Sequence, residues 1–436
     1  MRTVKIWILA LTAALLLCGC SMHTTDDMYA IPKRSEDYNN LQTSIDKAMT
    51  GLVYSAPVVG ENRQSVQMAD LDGDGTDEYL VFAKDNKDHP LKILVFLNMG
   101  GAYDHVATLE NNGTAFDQIE YIQLDDKPGV EILVGRQLSD QVFRSVSVYA
   151  MKNSEVEQIA VLDYTKILPV DMNNDSISEV LLIKPGEVDG NKGSVALYAV
   201  KDGAFTRSNE ADMSQPVDKI KRIITGKLEG GGNAVYIAST VDETTLVTDV
   251  FVLREGLLSN MTLSVESGTS VKTMRNYYIY ADDIDNDGVV ELPALINMKA
   301  INFLTANDQL HLIRWYALTA SGEEVDKMYT FHNFRDGWYL QWEKTLAERI
   351  AVSQRGTEYR FFVWDEEYRT TEILMDITTH VGQTRPEGTD SFLISRTDTA
   401  AYTAKLTPVA EKYGITQDSL IYNFRLIHED WKTGET

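Results

Sequence analysis

Hydrophobic and polar positions alternate over short distances through most of this chain. From about residue 46 onward, short stretches rich in Val, Ile, Tyr and Phe are separated by turns rich in Gly, Asn and Asp. No long segment with helical periodicity occurs before about residue 402. Many short strands joined by regular turns are typical of all-β architectures. The pattern therefore predicts a mostly β fold.

A strand, an acidic loop and a second strand recur at intervals of about 50 residues. The five copies lie at residues 66–81, 123–134, 167–182, 226–237 and 278–292. The second and fourth copies are degenerate: the second is shortened, and the fourth has lost its carboxylates. A hairpin-like pair of strands follows each copy, which gives four strands per repeat, the size of a β-propeller blade. We expect a β-propeller of about five visible four-stranded repeats over residues 46–327, with a β-sandwich or an open repeat array as the alternative.

The repeat ends near residue 328. Residues 329–342 are rich in aromatic side chains, and three strand-like segments follow. Residues 399–413 then have a composition that favours a helix. Strands followed by helices predict a separate small α+β domain over residues 328–436.

The N-terminus looks like the leader of an exported lipoprotein. Two basic residues precede an apolar run over residues 6–17, which is too short to span a bilayer but fits the hydrophobic region of a signal peptide. The run ends in Leu17-Cys18-Gly19-Cys20, which resembles a lipobox. We expect a signal peptide over residues 1–19, lipidation of Cys20 and a polar tether over residues 20–45. The predicted location is extracytoplasmic, with the lipid anchored in the cell membrane.

Charge excludes one class of partner. The chain has 65 Asp and Glu residues against 40 Lys and Arg residues, which gives a net charge of −25 at pH 7. Such a surface repels nucleic acid and attracts cations, so we expect no nucleic-acid partner. The chain has two cysteines, and both belong to the lipobox pattern. The mature chain is therefore expected to fold without a disulfide.

The three acidic loops that keep their pattern have the composition of calcium sites. Carboxylate or amide side chains stand at positions 1, 3, 5 and 9, and the backbone carbonyl of position 7 adds a neutral oxygen. Oxygen ligands in this number suit Ca²⁺, which accepts about six to eight. The candidate ligands are Asp70, Asp72, Asp74, Thr76 and Glu78; Asp171, Asn173, Asp175, Ile177 and Glu179; and Asp283, Asp285, Asp287, Val289 and Glu291. The middle loop is expected to be the weakest site, because an amide replaces one carboxylate and Ser176 replaces a glycine.

The acidic loops have two other interpretations, an EF-hand and a plain acidic turn. An EF-hand needs a glutamate at position 12 and helices on both sides. Position 12 is Val81, Leu182 or Ala294, and the flanking residues favour strands, so the loops are not EF-hands. A solvated acidic turn without an ion is the alternative to a calcium site.

The repeated pattern Asp-x-Asp-x-Asp-Gly-x-x-Asp/Glu between two strands resembles the FG-GAP/VCBS repeat of integrin-α-type β-propellers, over roughly residues 60–330. The resemblance implies that calcium binds at the first turn of each blade, through the residues named above. This chain departs from the family in having Glu at position 9 and two loops without a full set of ligands. Loops that have lost their ligands favour a structural role for calcium.

Two function classes are open. The chain lacks a Gly-x-Ser-x-Gly elbow, a Walker loop, a dinucleotide fingerprint and a pair of histidines with metal-site spacing. This favours a non-catalytic binding, adhesion or scaffold module that presents loops to a protein or glycan. The alternative is a hydrolase or lyase acting on envelope or extracellular polysaccharide.

Overall fold

The structure, a computed structural model, describes residues 36–85, 90–100, 102–139, 144–186, 192–201, 203–296, 298, 310–365, 370–382 and 390–427. The expected signal peptide over residues 1–19, the lipidation site Cys20 and tether residues 20–35 lie outside the described residues. In the described ranges, no helix is long and apolar enough to cross a membrane. The chain divides into two compact units.

The first unit contains residues 36–56, 64–69 and 75–111. It consists of helix α1 (Glu36–Ala48) and one antiparallel sheet. The strands are β1 (Val53–Tyr54), β2 (Val66–Ala69), β3 (Glu78–Lys84), β4 (Leu91–Asn98) and β5 (Tyr103–Asn111). Strands β3, β4 and β5 form a meander, and β1 and β2 both pair with β3. Strand β4 is apolar on both faces and buried along almost its whole length, as expected of a central strand.

Helix α1 corrects the predicted tether, which is wrong for residues 36–45. The helix looks polar in sequence, but Leu41, Ile45 and Ala48 recur at helical spacing and form one apolar stripe. Leu41 and Ile45 are buried in a cluster with Leu94 and Phe96 of the sheet. The helix is therefore part of the folded first unit.

The second unit contains residues 57–63, 70–74 and the described residues from 112 onward. It begins with three four-stranded antiparallel meanders, sheets 2, 3 and 4. Their strands are β6 (Ala115–Ile122), β7 (Glu131–Gln137), β8 (Arg144–Lys152) and β9 (Glu155–Tyr164); β10 (Lys166–Val170), β11 (Glu179–Pro185), β12 (Gly193–Lys201) and β13 (Ala204–Asp212); and β14 (Ile220–Lys227), β15 (Asn233–Thr240), β16 (Leu246–Arg254) and β17 (Leu257–Asn260). Short 3₁₀ helices occur at Val217–Lys219 and Val271–Thr273.

Two five-stranded sheets complete the second unit. Sheet 5 has the order β18-β19-β20-β21-β27, and sheet 6 has the order β22-β23-β24-β26-β25. The strands are β18 (Glu291–Ile296), β19 (Leu310–Leu318), β20 (Glu324–Asn333), β21 (Trp338–Trp342), β22 (Ile350–Arg355), β23 (Glu358–Asp365), β24 (Thr370–Val381), β25 (Phe392–Arg396), β26 (Ala400–Leu406) and β27 (Phe424–Leu426). The helices are α2 (Lys344–Ala347), α3 (Pro408–Lys412) and α4 (Gln417–Asn423).

Consecutive sheets of the second unit share hydrophobic clusters. Leu133 of sheet 2 packs in one cluster with Leu182 of sheet 3. Other residues of sheet 3, including Leu181, lie in a cluster with Phe251 of sheet 4. Sheets 4 and 5 meet around Tyr236 and Tyr316, among others. Each sheet is thus covered by the next one in chain order, which buries both faces of its central strands.

The end of the chain corrects the predicted domain boundary at residues 327 and 328. Strand β20 runs through that boundary, so it does not separate two folded parts. A single cluster joins Phe331 and Trp338 of sheet 5 with Phe361 of sheet 6. Strand β27 returns from the C-terminal end of the described chain to pair with β21. Residues 400–406, predicted as part of a helix, form strand β26 instead.

The predicted mostly β fold with four-stranded antiparallel repeats is confirmed. The acidic segments connect β2 to β3, β6 to β7 and β10 to β11, as the repeat predicts. The fifth segment precedes β18 and is closed by a bridge between Asp282 and Glu291. The strand pairing therefore places the acidic segments at equivalent positions of their sheets.

Candidate metal centre

The third acidic loop, residues 283–291, wraps its backbone around its own carboxylates. Asp283 accepts hydrogen bonds from the backbone N–H groups of Asp287, at 3.0 Å, and Gly288, at 2.9 Å. Gly288 has a φ of +85°, a conformation that favours glycine. The sequence thus folds into a tight turn that holds the Asp283 side chain inside the loop.

Glu291 closes this loop from the first position of β18. Its side chain is fully buried. Its Oε2 accepts the backbone N–H of Ile284 at 3.1 Å. Its Oε1 is also buried, and among the described residues it has no hydrogen-bond partner. Burial is the main cause that raises the pKa of Glu291 to about 8, and Asp285, Asp287 and Asp283 add to the shift.

The carboxylates of the third loop converge. One oxygen each from Asp283, Asp285 and Glu291 lies within 4.8 Å of the other two. Three converging carboxylates repel one another, and Glu291 is buried, so water does not screen its charge. A divalent cation coordinated by these oxygens would neutralise them and would give Glu291 Oε1 the partner that it lacks. The residues therefore fit a calcium ion.

Two predicted ligands of the third loop are placed differently. Asp287 accepts a hydrogen bond from Lys327 Nζ at 2.8 Å, and this contact lowers the pKa of Asp287. Lys327 also pairs with Glu229 at 2.6 Å. Val289 donates its backbone N–H to Asp287 and forms a bridge with Lys227. The cluster of carboxylates thus consists of Asp283, Asp285 and Glu291, with Asp287 in an adjoining ion pair.

The first acidic loop is divided between the two units. Asp70, Asp72 and Asp74 belong to the second unit, whereas Thr76 and Glu78 belong to the first. The residue 70–74 segment repeats part of the third loop's geometry. Asp70 accepts the N–H of Gly73 at 2.7 Å, and Asp72 accepts the N–H of Asp74 at 3.1 Å. Calcium binding by this loop stays a prediction.

The degenerate second segment supports residues 70–74. A Cβ at Gly73 would lie 2.2 Å from the Cβ of Pro128, and a Cβ at Gly129 would lie 2.4 Å from the carbonyl oxygen of Leu71. Both positions also have positive φ values, so both require glycine. The backbone N–H of Val130 donates to the carbonyl of Asp70 at 3.2 Å. This segment has lost its ligand pattern and packs against its neighbour instead.

The middle loop, residues 171–179, satisfies its carboxylates internally. Asp171 accepts backbone N–H groups from Asn174 at 2.7 Å and Ser176 at 2.9 Å. Asn173 Nδ2 donates to Asp175 Oδ2 at 2.8 Å and to Glu179 Oε1 at 3.0 Å. Glu179 Oε2 accepts the N–H of Met172 at 2.8 Å.

In the middle loop, therefore, an amide group takes the place that an ion would occupy between the carboxylates. The remaining predicted ligand, Ile177, donates its N–H to Asp175 at 2.8 Å. Asp171, Asn173, Asp175 and Glu179 are brought together as predicted, but their arrangement does not need a cation.

Comparisons with known proteins give no family for this chain. The sequence matches no protein-family model and no curated protein. Among solved structures, rhamnogalacturonan lyase YesW is 10% identical, covers 85% of this chain and 79% of its own, and has a TM-score of 0.30. The β-propeller domain of the Trilobed protease from Pyrococcus furiosus is 11% identical, covers 72% of this chain and 89% of its own, and has a TM-score of 0.28. The exotype rhamnogalacturonan lyase YesX is 10% identical, covers 75% and 69%, and has a TM-score of 0.27.

Sequence reasoning missed two residues of the third loop's surroundings. Lys327 comes from β20, and Glu229 comes from the degenerate fourth segment. Neither residue lies in a recognisable motif. Lys327 contacts Asp287 from β20, and its ion pair with Glu229 forms only where sheets 4 and 5 meet. The position-9 glutamate of the second segment, Glu131, was also missed as a structural element. It accepts the N–H of Leu124 at 2.8 Å, as Glu179 and Glu291 do at equivalent positions.

Proposed function

We propose that this chain is a membrane-anchored, extracytoplasmic binding module whose array of β-sheets is stabilised by calcium. The observation that carries the calcium assignment is the buried Oε1 of Glu291, which has no hydrogen-bond partner among the described residues and lies in a group of three carboxylates. An unpaired carboxylate oxygen is costly to bury, and a bound cation removes that cost. The ion would be held by Asp283, Asp285 and Glu291.

Calcium in this position has a structural role. Asp283 accepts hydrogen bonds from the backbone of its own turn, and a bridge between Asp282 and Glu291 closes that turn at the start of β18. Binding would therefore fix the end of a sheet. A loop of this kind stiffens a scaffold and leaves other surfaces free for a protein or glycan ligand. No contact among the described residues supports the alternative prediction of a polysaccharide hydrolase or lyase.

The array is proposed to be a β-propeller of the FG-GAP/VCBS type. Support comes from the four-stranded meanders, from their packing in chain order and from the equivalent positions of the acidic loops. The repeat predicts five sheets, and the described residues form a sixth.

Calorimetric titration of calcium into the chelator-treated chain tests the metal assignment. The wild type is expected to bind calcium, and Glu291→Gln is expected to lose one site. Glu179→Gln is the matched control, because it makes the same change at the same position of the middle loop and should keep the wild-type number of sites. Equal stoichiometry in wild type and Glu291→Gln would contradict the assignment.

Membrane anchorage is a separate proposal that depends on residues 17–20. Labelling with palmitate should mark the wild type, and Cys20→Ala should abolish the label and release the chain from the membrane fraction. A wild type without label would contradict the lipid anchor and leave the calcium proposal unaffected.

A further inference from the structure

A cavity of about 430 Å³ lies in the second unit, away from the acidic loops. It is formed near the N-terminal ends of the first strands of sheets 2, 3 and 4, together with residues 59 and 60. The acidic segments at 123–130 and 171–178 follow the C-terminal ends of β6 and β10. The cavity and the acidic segments therefore lie at opposite ends of these strands. Its volume is in the range of sites for small molecules.

The charge of the cavity is opposite to that of the chain. Four of its lining residues are basic, namely Arg144, Lys166, Lys221 and Arg222, whereas the chain as a whole has a net charge of −25. The Arg222 guanidinium lies over the Tyr280 ring. Asp117 is the one carboxylate among the described lining residues. A cavity with this excess of basic groups attracts anions and concentrates the field between its walls.

Asp117 is already used inside the protein. Its Oδ2 accepts the hydroxyl of Tyr164 at 2.7 Å and lies 3.1 Å from Arg144 Nε. Its Oδ1 accepts Gln137 Nε2 at 3.0 Å. Arg144 in turn donates from Nη1 to the carbonyl of Thr165 at 3.0 Å. These contacts fix Arg144 at the cavity wall and neutralise its charge.

The two lysines are placed differently from Arg144. Lys166 begins β10 and Lys221 lies in β14, and both are exposed residues. In the described part of the chain, neither forms an ion pair with a carboxylate. Their ammonium groups are therefore available to a ligand. Apolar side chains such as Leu168 and Ile223 complete the walls and suit the carbon skeleton of a small organic molecule.

We infer that this cavity binds a small organic anion, with Lys166 and Lys221 holding its carboxylate or phosphate group by charge-assisted hydrogen bonds. The inference deepens the proposed binding function, since it assigns a site and a ligand class. It does not depend on calcium, because the carboxylates of the third loop do not line the cavity.

Binding to the purified full chain can be measured by calorimetry with glucuronate and glucose 6-phosphate, using glucose as the neutral control. We expect saturable binding of at least one anion and none of glucose. Binding of glucuronate alone would identify the carboxylate as the recognised group, and binding of glucose 6-phosphate alone would identify the phosphate. Competition by inorganic phosphate would show that the anionic group itself is recognised.

The double variant Lys166→Gln/Lys221→Gln should bind the anion at least tenfold more weakly. The control is Lys201→Gln/Lys272→Gln, which removes the same charge at exposed positions outside the cavity lining. Equal losses in both double variants, or a wild type that binds neither anion, would overturn the inference. The calcium-dependent shift in melting temperature is measured on the same samples. If the calcium-dependent shift in melting temperature is intact but no anion binds, the inference about the cavity is wrong and the calcium proposal is unaffected.

Discussion

The middle loop and the third loop place the same kind of side chain in the same kind of turn and stabilise it differently. Each ends in a buried glutamate whose Oε2 accepts the N–H of the residue at position 2. In the middle loop, Glu179 Oε1 also accepts the side-chain amide of Asn173. In the third loop, position 3 is Asp285, which cannot donate, and Glu291 Oε1 has no partner among the described residues.

The comparison suggests a hypothesis in which the side chain at position 3 determines whether the turn binds a cation. An amide nitrogen gives the loop a neutral donor within reach of two carboxylates. A carboxylate oxygen at that place adds a further negative charge and leaves the buried glutamate uncompensated. In this hypothesis the middle loop folds without an ion, and the third loop binds the calcium ion proposed above.

The largest contrast is expected from replacing the buried glutamates in chelator. Glu179→Gln should lower the free energy of unfolding by about 2 kcal/mol. Both carboxylate oxygens of Glu179 accept hydrogen bonds, from the Met172 N–H and from Asn173 Nδ2, and the new amide nitrogen would face one of these donors. Glu291→Gln should not lower it, because an amide there can donate to Asp283 or Asp285. Chemical denaturation of both variants measures the difference. Equal destabilisation of the two would remove the distinction between the loops.

Calcium removal is expected to act through the third loop. Extracellular modules bind calcium with dissociation constants of about 0.1–1 mM. At 1 mM calcium and a dissociation constant of about 0.1 mM, one site stabilises the folded chain by about 1.4 kcal/mol. Melting curves in calcium and in chelator measure this effect. Asp175→Asn in the middle loop is the control and should leave the calcium-dependent difference unchanged.

A smaller effect is expected from opening the middle loop with Asn173→Asp. The variant loses the amide donor and gains a carboxylate beside Glu179, so in chelator it should be about 1 kcal/mol less stable than the wild type. Millimolar calcium should restore that loss by creating a new site. If calcium does not reverse the destabilisation, the side chain at position 3 does not by itself determine whether the loop binds calcium.

The smallest effect is expected from the reverse change, Asp285→Asn. The new amide should bond Glu291 in the way that Asn173 bonds Glu179, which would stabilise the chelated chain by about 0.5–1 kcal/mol. The calcium-dependent shift should shrink at the same time. Thermal unfolding of wild type and variant, each with and without calcium, measures both changes. If the variant keeps the full calcium-dependent shift in melting temperature, Asp285 is not a ligand of the ion.

Local sequence patterns predicted much of the sheet structure. Strand–loop–strand copies mark a hairpin in each of sheets 1 to 4 and the start of sheet 5. Three of these copies have loops rich in Asp, and the copy in sheet 4 is recognised by its glycines and its spacing. Sheet 6 has no such mark. Its first two strands are joined by a tight turn at Gly356, with a φ of +64°, which leaves no acidic pattern to recognise. Helix α1 was missed because a three-residue apolar stripe is hidden in a polar segment.

The site was predictable in its residues but only partly in its arrangement. The spacing of Asp283, Asp285 and Glu291 was sufficient to bring them together. Whether Asn173 would act as an oxygen ligand or as an N–H donor could not be read from its position, because the answer depends on where Glu179 points after β11 has paired. The contact between Lys327 and Asp287 could not be predicted either, because it depends on how β20 is placed against the acidic turn before β18.

Helix α1 also limits how far the folded chain can stand from a membrane. If Cys20 carries the lipid, the chain between it and Glu36 can extend to about 55 Å when fully stretched. A tether that continued to residue 46 would have reached about 90 Å. The folding of ten residues of the predicted tether thus shortens its maximum length by more than a third.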